Sequence, residues 1–144
     1  MIKIKSVTEI IKEFEQPCPC GREHCTAVQD VQIGSGLVKK VGEILKKNGF
    51  PKNILLVADK NTLAAAKGIE ESLKDFSVEY KIYDEIRVAR MEHVEELESI
   101  IRGRDIGVLS VGTGSVNDPC RLAAARQDKK LCIFATAPSM DGFA

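Results

Sequence analysis

The chain has 144 residues, of which 44% are hydrophobic and 5% aromatic, enough for one compact domain with an aliphatic core and too short for a second full one. Lys plus Arg equals Asp plus Glu at 21 each, so no net field draws the chain to nucleic acid or to an anionic membrane surface. No apolar run reaches the roughly 20 residues of a membrane helix, and the charged start MIKIKSVTEIIKEFE is unlike a signal peptide, so a cytoplasmic chain without membrane insertion is expected.

Residues 1–26 read as an arm: a short amphipathic segment followed by a Cys/Pro-rich turn. That turn, Cys18-Pro19-Cys20-Gly21-Arg22-Glu23-His24-Cys25, carries three thiols and an imidazole, which are zinc ligand types. It lacks the distant second pair of most structural zinc sites, so a reduced turn is the expectation. The odd count of five cysteines likewise argues against a secreted disulfide framework.

From residue 27 onward, short β-branched runs alternate with stretches of helical spacing, which predicts an α/β domain over 27–144 with a parallel sheet. The predicted strands are Ala27–Ile33, Ile54–Ala58, Val78–Tyr83, Ile106–Val111 and Leu131–Thr136. Gly34-Ser35-Gly36 makes a glycine turn before a helix whose face is Leu37, Val41, Ile44 and Leu45, ending at Asn48-Gly49. A second helix is expected from Leu63 to about Lys74, after Asn61-Thr62. A third runs near Met91–Arg102 with Val94, Leu97 and Ile101 inward and its Glu run in solvent, and His93 reads as a surface residue. A fourth is expected from about Asp118 to Gln127, with Pro119 in its first turn.

The strand Ile106–Val111 leads into Gly112-Thr113-Gly114-Ser115 and a helix, an arrangement suited to an anion. Glycine lets the backbone approach a pyrophosphate, helix N–H groups and dipole favour negative charge, and Ser115 adds a hydroxyl. The residues alone leave open a purely structural turn, because the third glycine of the common dinucleotide fingerprint is missing. Asp59 follows the strand Ile54–Ala58 and falls at the carboxyl edge of the sheet, where it can hold ribose hydroxyls or simply form a turn.

The segments GTGSVNDPCRLAAARQDKKLCIFATAPSMDGFA, VADKNT and CPCGREH resemble bacterial-type glycerol-1-phosphate dehydrogenases, within the superfamily of iron-containing alcohol dehydrogenases, glycerol dehydrogenases and dehydroquinate synthases. The resemblance implies a Rossmann-like parallel sheet flanked by helices, the N-terminal domain of a dehydroquinate synthase-like fold without its C-terminal helical domain. It implies that Gly112, Thr113, Gly114 and Ser115 bind the pyrophosphate of NAD or NADP, that Asp118 anchors the motif near the nicotinamide and that Asp59 takes the adenosine ribose. Thr136 and Ser139 would line the cofactor cleft, and Asp141 would contact substrate. The family's divalent metal, zinc or nickel, is held by one Asp and two His expected beyond Ala144, because this chain has only His24 and His93.

The reaction so implied interconverts sn-glycerol 1-phosphate and dihydroxyacetone phosphate, a first step toward a glycerol-1-phosphate lipid backbone, and the 144-residue chain is expected to be inactive alone. A polyol dehydrogenase of the same superfamily or a non-catalytic nucleotide-binding fragment are the alternatives, and a homodimer is compatible with the resemblance. Thr113 stands where the superfamily usually has glycine, and Arg121 where it often has lysine.

Overall fold

The computed structural model describes residues 7–137. The chain divides into an N-terminal unit ending at Leu37 and a second unit beginning at Val38.

Among the described residues, the N-terminal unit holds one helix, α1 (Val7–Phe14), and the turn 18–25. Ala27–Ile33 does not form the predicted strand. Its alternating pattern has strand propensity, but a strand persists only with a ladder partner, and here none of the described strands pairs with it. Ile33 remains 86% exposed.

A 3-10 turn, Leu37–Lys40, leads into the second unit, which continues as α2 (Val41–Lys47), β1 (Asn53–Asp59), α3 (Lys60–Ala65), α4 (Ile69–Ser72) and β2 (Ser77–Tyr83). It then runs through α5 (Met91–Ile101), β3 (Gly107–Gly112), α6 (Gly114–Arg126) and β4 (Leu131–Ala135). All four strands are parallel, in the order β2-β1-β3-β4. The four predicted strands from Ile54 onward are therefore present, each within a residue or two of its expected ends.

Parallel strands joined by crossover helices are covered on both faces, and the central pair shows it. NILLVAD in β1 is buried after its first residue, and GVLSVG in β3 is buried throughout. One face, with Leu55, Val57 and Val108, packs against α5 and α6 through Val94, Leu97, Ile101, Val116, Cys120 and Ala123. The opposite face, with Ile54, Leu56, Ala58, Leu109 and Val111, packs against Val41 and Leu45 of α2 and against Ala66, Ile69 and Leu73.

The second predicted helix is instead two short ones. It starts earlier because Asp59 caps it, and it breaks at Gly68, whose φ of 95° lies in the left-handed region and starts α4 afresh. The Glu run of α5 is not uniformly solvated either. Glu98 is 8% exposed, with Arg126 Nη1 3.9 Å away, while Glu96 pairs with Lys81 and accepts the Tyr83 hydroxyl at 2.9 Å. The Lys81 ammonium, the larger influence, and the Tyr83 hydroxyl hold the Glu96 carboxyl below its usual range. No described helix is long and apolar enough to cross a membrane.

Candidate functional site

The order β2-β1-β3-β4 sends the chain from β1 to one side and then back past it to β3, so the strand order reverses between the carboxyl ends of β1 and β3. Helices leaving those two strands diverge onto opposite faces and open a crevice there, the general ligand position in open α/β sheets. Asp59 ends β1 and Gly112 ends β3, one on each side of that point.

Asp59 is 5% exposed, and both of its carboxylate oxygens are engaged. Oδ1 accepts the Thr62 N–H at 2.8 Å, and the Thr62 hydroxyl accepts the Asp59 N–H at 3.0 Å, a reciprocal helix cap. Oδ2 accepts the N–H of Ile86, in the segment after β2, at 3.4 Å. Across the crevice, the Ser115 hydroxyl donates to the Ile86 carbonyl at 2.8 Å. Ile86, itself 6% exposed, thus spends both backbone polar groups joining the β1 side to the β3 side.

Ser115 has one hydroxyl proton, and Ile86 receives it, so in the 3.3 Å contact between Thr113 and Ser115 hydroxyls Thr113 is the donor. The expected role of Ser115 as a phosphate donor would require its hydroxyl to turn away from Ile86. The backbone offers the better donors.

α6 begins at Gly114 rather than near Asp118, and Pro119 lies inside it rather than in its first turn. The helix starts early because Thr113 takes the N-cap position and its carbonyl accepts the N–H groups of Val116 at 3.0 Å and Asn117 at 2.9 Å. The amides of Gly114 and Ser115 are the ones left without an intrahelical acceptor. Two adjacent N–H groups at the positive end of a 13-residue helix suit a pyrophosphate.

The turn is braced from behind by Asn117, which the sequence reading did not single out. Asn117 is 1% exposed; its amide nitrogen donates to the Gly112 carbonyl at 3.1 Å and its side-chain oxygen accepts the Ser110 hydroxyl at 2.7 Å. The signal available was a polar residue at a helical position that must face the sheet. Thr136 joins from β4, donating its N–H to the same Gly112 carbonyl at 3.1 Å. Asp118 sits half-buried on the first turns of α6, and Arg121 is exposed. Ser139 and Asp141 lie outside the described residues.

Cys120 is on the buried face of α6, and burial pushes its thiol up to about 12, outweighing the opposing influence of the nearby Ser110 hydroxyl. At pH 8 the folded chain should therefore keep Cys120 unalkylated while exposed Cys20 and Cys25 react, as peptide mass mapping after iodoacetamide would record. Labelling of Cys120 at the rate of Cys25 would contradict that burial.

The sequence profile of the iron-containing alcohol dehydrogenase family matches residues 32–144. The chain belongs to this family. Among its relatives is glycerol-1-phosphate dehydrogenase [NAD(P)+] of Thermococcus sibiricus, 33% identical over 118 residues, covering 81% of this chain and 33% of the relative. Mouse mitochondrial hydroxyacid-oxoacid transhydrogenase is 31% identical over 119 residues, covering 78% of this chain and 25% of the relative. The chain thus spans a third or less of these relatives' length. Among solved structures, maleylacetate reductase of Agrobacterium tumefaciens superimposes with a TM-score of 0.61 at 18% identity, over 76% of this chain and 31% of that one, a likeness of fold.

Membership makes the crevice the natural place to test for a dinucleotide, and its donor set fits one: paired backbone amides beside β3 and a carboxylate beside β1. The metal of the family is a different matter. His93, half-buried at the start of α5, accepts the Arg90 N–H through Nδ1 at 3.3 Å and lies edge-on to Tyr83 at 5.3 Å, capping the helix from its surface. The described residues bring no Asp and His pair of ligand type to the crevice, and their one close group of ligand side chains is Cys18, Cys20 and His24 in the N-terminal unit.

Proposed function

We propose that this chain is the cofactor-binding part of an NAD(P)-dependent oxidoreductase that interconverts sn-glycerol 1-phosphate and dihydroxyacetone phosphate. The observation that carries the reading is the pair of Gly114 and Ser115 amides at the β1/β3 reversal, in a chain 33% identical to a protein named for that activity.

In this reading the amides of Gly114 and Ser115 hold the pyrophosphate, with Gly112 and Thr113 shaping the turn beneath it. Asp59 already accepts two N–H groups, yet an ionised carboxylate has about four acceptor sites, so two remain for ribose hydroxyls. Asp118 anchors the motif on the nicotinamide side, and Thr136 and Ser139 line the cleft. Asp141 accepts hydrogen bonds from substrate hydroxyls. The bound nicotinamide supplies or takes up the hydride. A divalent metal, zinc or nickel, would be held by residues other than those described, and no step here depends on it. The assembly acts in the cytoplasm on a small phosphorylated substrate.

A second reading, hydride transfer between a hydroxyacid and an oxoacid, is favoured by the identity to the mouse transhydrogenase. The two separate in one assay of the protein expressed from the complete reading frame and supplied with zinc or nickel. Oxidation of NADH or NADPH that depends on dihydroxyacetone phosphate, with little on unphosphorylated dihydroxyacetone, is expected. Turnover only with a hydroxyacid and oxoacid pair would replace the first reading by the second, and preference for dihydroxyacetone would make the enzyme a polyol dehydrogenase.

A further inference from the structure

The function above uses no residue of the N-terminal unit, yet that unit holds the densest group of ligand-type side chains among the described residues. Cys18, Cys20 and His24 place one sulfur or nitrogen atom each within 4.8 Å of one another. Cys20 Sγ and His24 Nε2 are 3.0 Å apart. The turn that gathers them is closed by the Gly21 N–H donating to the Cys18 carbonyl at 3.0 Å, and Gly21 has the left-handed φ of 74° that lets the chain double back after Cys20. None of the three sulfurs of the turn is in a disulfide.

We propose that Cys18, Cys20 and His24 bind a borderline-soft divalent cation, zinc in the first place, as three protein ligands with the fourth position left to solvent. Two thiolates and an imidazole are the donor set that zinc prefers over the oxygen-seeking cations. In a tetrahedral site with Zn–S near 2.3 Å and Zn–N near 2.0 Å, ligand atoms lie roughly 3.5–3.8 Å apart. The widest separation, up to 4.8 Å, needs to contract by about an ångström and the 3.0 Å Cys20–His24 contact to widen by about half an ångström, both within reach of side-chain rotation in an exposed turn. The missing second Cys pair is the sequence feature that disfavours zinc. It loses force once Cys-x-Cys and the histidine four residues on converge by themselves, and a three-ligand site needs no distant pair. Cys25 stands outside the converging group, although it is adjacent to His24 in sequence. Cys20 and His24 are exposed, which gives the ion an entry path.

The test is a titration of the reduced, metal-free 144-residue chain with cobalt(II), followed by displacement with zinc(II). One equivalent of cobalt should raise a thiolate-to-metal charge-transfer band, and one equivalent of zinc should abolish it. Cys18→Ser, Cys20→Ser and His24→Gln should each weaken zinc at least about ten-fold, whereas Cys25→Ser should change it by less than roughly three-fold. Circular dichroism of each variant checks that the α/β unit stays folded. Equal zinc affinity in the wild type and in the Cys18→Ser/Cys20→Ser/His24→Gln variant would overturn the proposal. So would loss of binding in Cys25→Ser as complete as in Cys20→Ser.

Discussion

Gly112→Ala should destabilise the chain by about 1–3 kcal/mol and weaken NADH binding ten-fold or more, because the added methyl has nowhere to go. A Cβ on Gly112 would lie 2.6 Å from Val116 Cβ and 2.9 Å and 3.1 Å from its two Cγ atoms, where carbon atoms need about 3.5 Å or more. Val116 is 1% exposed beneath the start of α6, and its Cβ is fixed to the helix backbone. A rotamer change can move the two methyls but not the Cβ. The remedy is a shift of α6 away from β3, and that shift carries the Gly114 and Ser115 amides out of position.

Relief should therefore come only from removing the Val116 Cβ as well. Gly112→Ala/Val116→Gly should be more stable than the sum of its single variants by about 1 kcal/mol or more, whereas Gly112→Ala/Val116→Ala should recover less. Urea denaturation and NADH fluorescence titration read the two effects. Strict additivity of the first pair, or a Gly112→Ala variant as stable as wild type, would show that this contact does not govern the turn.

Asp59→Ala should cost about 2–4 kcal/mol, combining the lost cap of α3 with a buried Ile86 N–H left without its acceptor. It should also loosen the crevice, since the same Ile86 receives the Ser115 hydroxyl. Asp59→Asn keeps the cap of α3 but offers one acceptor oxygen where the carboxylate offers two. Asparagine caps a helix about as well as aspartate, but its amide nitrogen then faces the Ile86 N–H, so Asp59→Asn should cost about 1–2 kcal/mol, less than Asp59→Ala, and leave the chain folded. Charge-assisted bonds to ribose are worth about 1.5–3 kcal/mol, so NADH affinity should nevertheless fall roughly ten-fold or more. Full NADH affinity in a stable Asp59→Asn protein would leave Asp59 as a cap only.

The parallel sheet was legible because its central strands are short apolar runs, ILLVA and VLSV, covered on both faces and alternating with stretches of helical spacing. The crevice was legible for a related reason: Asp59 and Gly112 are strand-end residues, and strand ends follow from the strands. What escaped prediction depends on partners distant in sequence. Ala27–Ile33 has the alternation of a strand but none of the described strands beside it. The start of α6 moved because Thr113 carries its cap through a backbone carbonyl, which has no side-chain signature. Glu98 and Glu96 looked like solvent charges until Arg126, Lys81 and Tyr83 were brought to them by the fold. The convergence of Cys18, Cys20 and His24 rests on one turn that spacing rules for metal sites do not describe.

The measurement that bears most directly on the central claim is a titration of the isotopically labelled 144-residue chain with NADH, followed by amide nitrogen–proton correlation spectra. Saturable shifts should concentrate at Gly112, Thr113, Gly114 and Ser115, with Asp59, Ile86 and Thr136 following through the hydrogen bonds that join them. The amides of Gly114 and Ser115 should move most, as the two without an intrahelical acceptor. Adenosine diphosphate ribose should reproduce most of the pattern, and free adenosine should leave the Gly114 and Ser115 signals in place. Shifts clustered elsewhere on the sheet, or none at these residues with NADH at millimolar concentration, would contradict a dinucleotide site at the β1/β3 reversal.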